Sequence, residues 1–413
     1  MPTATTASQQ DDTVTTEPRQ GPRPLPLHLL TALTTASSAI ACLPAAHAGR
    51  LPWHPRLAAD AAALTEDMRE VDAAALQQAV LSEACARLRG LHDGIRRYHQ
   101  QGRARRLRDE PVIWQAGTTS LRDYGGEGQP VLFVPSLINR ADVLDLREGA
   151  SMLQWLRNEG FRPLLLDWDA PGPEERGFDM TDYVCQRLEP ALDHAVALAG
   201  GPLPLVGYCM GGTLAVALAC RRQAGISRLA LLATPWDFHA ERDGQERILD
   251  TLRPSLDFVL QQFGELPVDL LQALFATLDP NLAQRKFFRF AKARHGRADA
   301  LFVALEDWLN DGVPLVPAVA RECFHGWYGD NAPARGLWQV DGATVDPAGL
   351  RMPALLAIPA ADRIVPPASA RALATVIADV TLVEPAAGHI GMVVGSRAER
   401  SLWRPLARWL AEG

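Results

Sequence analysis

A chain of 413 residues, 47% hydrophobic and 22% charged, is long enough to bury one sizeable core with appended elements and has an ordinary globular composition. Its formal net charge of −7 excludes the overall basic character of a nucleic-acid binder, yet leaves room for a local arginine cluster around an anionic ligand. The six cysteines form no CxxC pair and no regular spacing, so they provide neither a zinc site nor a disulfide framework and fit the reduced thiols of a cytosol.

In chain order, residues 1–23 are rich in Thr, Gln, Pro and acidic side chains and are predicted to be a disordered tail. Pro24 to Gly49 carries no Asp, Glu, Lys or Arg, and Ala46-His47-Ala48 has the form of a signal-peptidase site, with Arg19 and Arg23 as its charged flank. That segment is preceded by Asp11, Asp12 and Glu17 and diluted by Pro26, Thr31, Thr34, Thr35, Ser37 and Ser38. An amphipathic helix packing on the domain or on an apolar surface is therefore expected in place of a secretion signal, and no stretch is expected to cross a membrane. Between Ala58 and Leu107, Leu76, Val80, Ala84, Leu88, Leu91 and Ile95 recur at helical spacing, so residues 24–110 form an N-terminal helical region.

From residue 111 the pattern changes. Short apolar runs end at breakers: Val131–Val134 before Pro135, Pro163–Trp168, Leu203–Val206 before Gly207, Leu229–Ala233 before Thr234-Pro235, and Ala354–Ile358 before Pro359. Helical patterns such as Met152–Glu159 and Asp182–Leu198 lie between them. Apolar strands alternating with helices predict an α/β domain over 111–413, with a mostly parallel, doubly wound sheet covered on both faces. The interval before Ala354 is too long for a loop and holds helical stretches at Ser255–Phe263 and Leu301–Leu309. It reads as a cap, about 237–350, inserted over the carboxyl edge of the sheet.

The sharpest chemical signal is Gly207-Tyr208-Cys209-Met210-Gly211-Gly212, between a strand and an Ala/Leu-rich helix. Gly-x-nucleophile-x-Gly in that context is a nucleophile elbow, whose glycines permit a sharp turn and close helix–strand packing. The helix amino terminus favours a thiolate at Cys209. The elbow predicts the order nucleophile, acid, histidine. Asp362 follows the run ending at Ile358, and His389 follows Val380–Val383, so the expected triad is Cys209, Asp362 and His389, with the aspartate fixing the tautomer of the histidine base. The oxyanion hole is expected from the backbone N–H groups of Met210 and Leu137. Asn139 is either a turn residue or part of the pocket. A cysteine nucleophile exchanges one thioester for another and keeps the acyl group's transfer potential, which suits a transferase receiving from coenzyme A and delivering to a hydroxyl. With the cap excluding water, hydrolysis is avoided.

The α/β-hydrolase arrangement with these motifs resembles the polyhydroxyalkanoate (poly-3-hydroxybutyrate) synthase family. The resemblance runs from about residue 110 to 413. It rests on Val134-Pro135-Ser136-Leu137-Ile138-Asn139-Arg140, Val143-Leu144-Asp145-Leu146, Leu165-Leu166-Asp167-Trp168, the Cys209 elbow, Asp362-Arg363-Ile364-Val365-Pro366 and Gly388-His389-Ile390-Gly391. It implies an acyltransferase that polymerises (R)-3-hydroxyacyl-coenzyme A through a Cys209-bound acyl group. Coenzyme A thioester is then substrate and no resident cofactor or metal is needed. The family's members work as dimers on cytoplasmic granules. A thioesterase or intracellular polyester depolymerase on the same triad is the alternative. Two positions depart from the pattern. Arg363 stands where members often carry histidine, and Trp308-Leu309-Asn310-Asp311 only loosely matches a tryptophan–asparagine motif, which makes Trp308 a candidate pocket residue.

Overall fold

The computed structural model describes residues 19–102, 110–241, 245–293 and 296–412. Most of the expected tail, residues 1–18, lies outside the described residues. The end of that tail is docked. Arg19 makes an ion pair with Asp307 at 2.6 Å and its side chain is only 5% exposed, while Arg23 pairs with Asp269 at 2.8 Å. The first helices are α1 (Leu25–His47), α2 (Ala58–Met68) and α3 (Ala73–His99). Asp72 caps α3 by accepting the Ala75 N–H, which satisfies one free donor of the first turn. The expectation that no stretch could span a membrane is corrected here: α1 is long and apolar enough to do so by length and composition. Its alanines and leucines outweigh the Thr, Ser and Pro that dilute it. It packs against α3, burying Ala32 and Ala46 and leaving Leu29, Leu30 and Leu33 exposed.

The α/β domain is built on eight strands: β1 (Val112–Ala116), β2 (Thr119–Asp123), β3 (Pro130–Val134), β4 (Arg162–Asp167), β5 (Leu203–Tyr208), β6 (Ile226–Leu232), β7 (Ala354–Ala357) and β8 (Val380–Val383). They lie in the order β1-β2-β4-β3-β5-β6-β7-β8. β2 runs antiparallel to both β1 and β4, and every pairing from β4 to β8 is parallel. Side chains alternate between two buried faces, as a covered parallel sheet requires. Leu132, Leu164, Leu205 and Leu229 point into one core, and Val131, Phe133, Leu165, Val206 and Ala230 into the other. The first face is covered by α5 (Glu189–Ala199) and α6 (Met210–Arg221), the second by α4 (Met152–Asn158) and the C-terminal helix Arg404–Ala411. The hairpin β1–β2, which the apolar runs did not predict, turns at Gly117, where φ is +54°.

Between β6 and β7 the chain leaves the sheet and forms α7 (Gln245–Phe263), α8 (Val268–Thr277), α9 (Leu282–Lys292) and α10 (Arg297–Asn310), followed by shorter helical turns to Gly329. The segment returns to the sheet through Glu322, which accepts hydrogen bonds from Trp338 Nε1 at 2.7 Å and from the Met180 N–H at 3.4 Å.

Burial pushes the Glu322 carboxyl up to about 7, although both hydrogen bonds pull the other way. A folded-state value above the unfolded one means that the native chain holds a proton that the unfolded chain releases, so this group's contribution to stability falls as pH rises from about 4.5 to about 7. Glu322→Gln removes the cost. Relative to the parent, the variant is expected to gain about 1–3 kcal/mol more at pH 8 than at pH 5, in paired denaturant titrations. An equal difference at both pH values would show that the fold does not raise the Glu322 carboxyl.

Candidate active site

Cys209 sits between β5 and α6 with φ +56° and ψ −129°, a backbone that side chain-bearing residues rarely adopt. The turn exists because its neighbours lack side chains. A Cβ on Gly211 would lie 2.2 Å from the Pro135 carbonyl oxygen, and one on Gly207 would lie 2.4 Å from Gly212 Cα. The Cys209 N–H donates to the Leu232 carbonyl at 2.8 Å, which ties the elbow to β6. The strand ends thereby aim the thiol out of the sheet at the amino terminus of α6.

His389 follows β8 and Asp362 follows β7, so parallel strands carry both to the edge that holds Cys209. The His389 Nδ1 lies 2.7 Å from Asp362 Oδ2, with the aspartate side chain fully buried and the histidine side chain 7% exposed. Asp362 Oδ1 accepts the N–H groups of Ile364 and Val365, each at 2.9 Å, which fixes the carboxylate before it meets the ring. Cys209 lines the same cavity as the ring and acts on its charge. Burial disfavours the imidazolium, but Cys209 and the hydrogen bond that the ring donates to Asp362 overcome it and raise His389 to about 10. Asp362 and Cys209 therefore favour a proton on the ring. Tyr208 stacks at a tilt beside the ring, with centroids 5.3 Å apart, and its hydroxyl donates to the His389 carbonyl at 3.4 Å.

The other cysteines are placed differently. Burial pushes Cys220 up to about 12 and Cys323 well above its usual range, and Cys42 lies exposed on α1.

Cys209 and His389 line a cavity of about 530 Å³ beneath the cap. Asn139 and Trp308 line it as well. The Trp308 Nε1 donates to the Arg140 carbonyl at 2.8 Å, and the Asn139 Oδ1 is buried without a hydrogen-bond partner. The side chains of Leu137 and Met210 do not line it. Leu137 packs towards Val313 and Leu315 of the cap, and its N–H has no acceptor among the described residues. His239, just before the cap helices, donates through Nε2 to the Tyr328 and Gly329 carbonyls at 3.1 Å and does not line the cavity.

The charge of this cavity emerges only in the fold. Six of its lining residues are basic (Arg23, Arg140, Arg285, Lys286, Arg289 and Arg363) against two acidic ones, Asp279 and Glu306, in a chain whose net charge is negative. They come from four separate segments, so no local run of the sequence displays them.

Residues 129–396 match the family model of the alpha/beta hydrolase fold. The poly(3-hydroxyalkanoate) polymerase subunit PhaC of Haloferax mediterranei is 31% identical over 288 residues, which cover 68% of this chain and 58% of the relative. The subunit of the same name from Haloarcula marismortui is 29% identical over 303 residues, 72% and 64% respectively, and that of Synechocystis sp. is 28% identical over 295 residues, 68% and 78%. The chain spans about three fifths of the length of the first two. With the strand order, the strained turn after β5 and a family match over well over half its length, the chain belongs to the alpha/beta hydrolase fold family.

Proposed function

We infer that the chain is an acyltransferase that polymerises (R)-3-hydroxyacyl groups from coenzyme A thioesters, through an acyl group held on Cys209. The observation that carries this reading is a strained cysteine and a buried His389–Asp362 pair lining one cavity that has basic side chains around it. Similarity to polymerase subunits supports the choice of substrate.

In the first half-reaction the Cys209 thiolate attacks the thioester carbonyl carbon. The carbonyl oxygen gains the electron pair and is met by the N–H groups of Met210 and Leu137. Collapse of the adduct breaks the carbon–sulfur bond to coenzyme A, and the His389 imidazolium gives its proton to the departing thiolate. Cys209 is now acylated and His389 neutral. In the second half-reaction His389 removes the proton of a 3-hydroxyl, on a second hydroxyacyl group or on the growing chain. The alkoxide oxygen attacks the Cys209 thioester, an ester forms, and the thiolate and imidazolium are regenerated. Asp362 holds the ring by Nδ1 so that the other nitrogen faces the thiol and the acceptor. Asn139 and Trp308 bound the acyl group. In this reading the protein works in the cytoplasm as a homodimer on the granule surface, where the exposed leucines of α1 contact polymer.

Brief exposure to 3-hydroxybutyryl-coenzyme A should leave an acyl adduct on Cys209, found by peptide mass spectrometry, with Cys209→Ala giving neither adduct nor polymer. Adduct at Cys220 or Cys323 would move the nucleophile elsewhere. Coenzyme A release without polymer in the parent protein would turn the reading to a thioesterase.

His389→Ala and Asp362→Asn should separate the two half-reactions. Without the imidazole both fail, and the absorbance of the thiolate near 240 nm is lost. With Asp362→Asn the thiol, which ionises more readily than a hydroxyl, still releases one burst of coenzyme A, while polymer growth falls by roughly a hundredfold or more. Rapid-quench measurement of both products decides this, and an absent burst with titratable Cys209 would show that Asp362 serves the first step too.

A further inference from the structure

Five of the six basic residues that line the cavity are ion-paired, Arg23 and Arg140 with Asp269 and Asp169 and the other three with acids of the lining itself. Arg285 and Arg363 share one carboxylate oxygen, Asp279 Oδ2, at 2.5 and 2.8 Å. Lys286 is matched by Glu306 at 2.7 Å. Arg289 has no hydrogen-bond or ion-pair partner among the described residues. Arg285 and Arg289 are four apart on α9 and so share a face of that helix. Three guanidinium groups thus stand against a single acid.

Their position within the cavity separates them from the chemistry. The side chains of Arg285 and Arg363 are 46% and 72% exposed, and Arg289 is exposed, whereas His389 at the same cavity's floor is 7% exposed. The cavity therefore has a cationic, hydrated end and a buried, reactive end. A coenzyme A thioester has the same polarity. Its acyl–sulfur end and pantetheine arm are neutral, and its nucleotide carries several phosphate charges that are costly to bury. Guanidinium groups hold phosphate through paired, charge-assisted hydrogen bonds. A purely structural role, latching the acid loop to the cap, accounts for Arg363 and Arg285 on Asp279 but gives Arg289 nothing to do.

We propose that Arg285, Arg289 and Arg363 form a clamp for the nucleotide phosphates of the thioester substrate, with Asp279 holding two of the three guanidiniums in place before the ligand arrives. The clamp rests on the acyl-transfer reading for the identity of the ligand, though not for its charge. It assigns the cap a binding role: α9 carries the phosphate site, while the loop after β7 carries both the catalytic acid and one arm of the clamp.

The test is calorimetric titration of the full-length protein with free coenzyme A and with adenosine 3′,5′-bisphosphate, alongside Arg289→Ala, Arg285→Ala/Arg289→Ala and Arg289→Lys. Each alanine substitution is expected to raise Kd about tenfold or more, with lysine restoring part of the loss. Added salt should weaken the parent more than the double variant. Acylation of Cys209 by 3-hydroxybutyryl-pantetheine, which lacks the nucleotide, should keep its rate in every variant, which also shows that they fold. Unchanged Kd values in the double variant, or no binding of coenzyme A by the parent, would overturn the clamp even if Cys209 is acylated. Weakened binding in the variants with no acylation of Cys209 from either thioester would keep the clamp and remove the acyl-transfer reading. A loss of the pantetheine reaction equal to the loss of coenzyme A binding would make the arginines structural and overturn the clamp.

Discussion

Holding a residue with a side chain at φ +56° costs on the order of 1–3 kcal/mol, so the turn at Cys209 persists only because the packing around it leaves no alternative. Gly211 lies so close to the carbonyl oxygens of Val134 and Pro135 that no Cβ fits, and the Cys209 N–H is held by the end of β6. The strain is thus opposed by contacts with two flanking strands, β3 and β6. Both are buried on each face, and relaxing the turn would require moving them. The same close approach brings the loop after β3, with the Asn139 side chain, to the cavity that Cys209 lines. One steric constraint therefore sets the position of the thiol, of the helix amino terminus behind it, and of the opposing loop.

The second requirement is a charge arrangement that tolerates burial. A buried carboxylate is expensive unless its lone pairs are filled. Asp362 meets this with two backbone N–H groups on one oxygen and the histidine on the other. The ring is then fixed by Nδ1, and its proton is stabilised by Cys209 on the far side. Because the three side chains arrive at the same ends of parallel strands, the sheet's own register aligns them. β5 carries the cysteine, β7 the aspartate and β8 the histidine, and the β6–β7 and β7–β8 pairings are in step along their whole length.

These dependencies explain what the sequence could and could not reveal. The convergence of Cys209, Asp362 and His389 on one edge of the sheet was readable because each follows an apolar run at a loop rich in glycine or proline, and the fold imposes the order. The five central strands were readable because burial on both faces makes them continuous apolar runs. β1 and β2 were not, since they lie at the sheet edge with mixed polarity, although Gly117 between two short strands is the kind of residue that a tight hairpin requires. The helix expected over Asp182–Leu198 is interrupted by a widened turn at Tyr183–Leu188, which hydrophobic spacing alone does not show. Cavity charge was hidden for a different reason. It depends on residues brought together from the N-terminal segment, the loop after β3, the cap and the loop after β7.

The N-terminal segment shows how far that convergence extends. Asp307 on α10 receives both Arg19, through Nε at 2.6 Å and Nη2 at 2.8 Å, and the Tyr98 hydroxyl from α3 at 2.7 Å. One turn on, the Asn310 side chain accepts the Arg23 N–H at 2.7 Å. Between them, Gly21 passes so close to Asn310 that a Cβ would lie 2.3 Å from its side chain. Trp308 and Asn310, on the helix held by these contacts, line the cavity, as do Pro22, Arg23 and His28 themselves. The helices before the sheet are therefore not an appendage to a self-sufficient catalytic domain. They supply part of the cavity wall and clamp the cap helix that supplies another part. The wall is joined through a largely buried ion pair, where loss of one partner leaves a charge without solvent, so the contact favours a single docked arrangement over a sliding one.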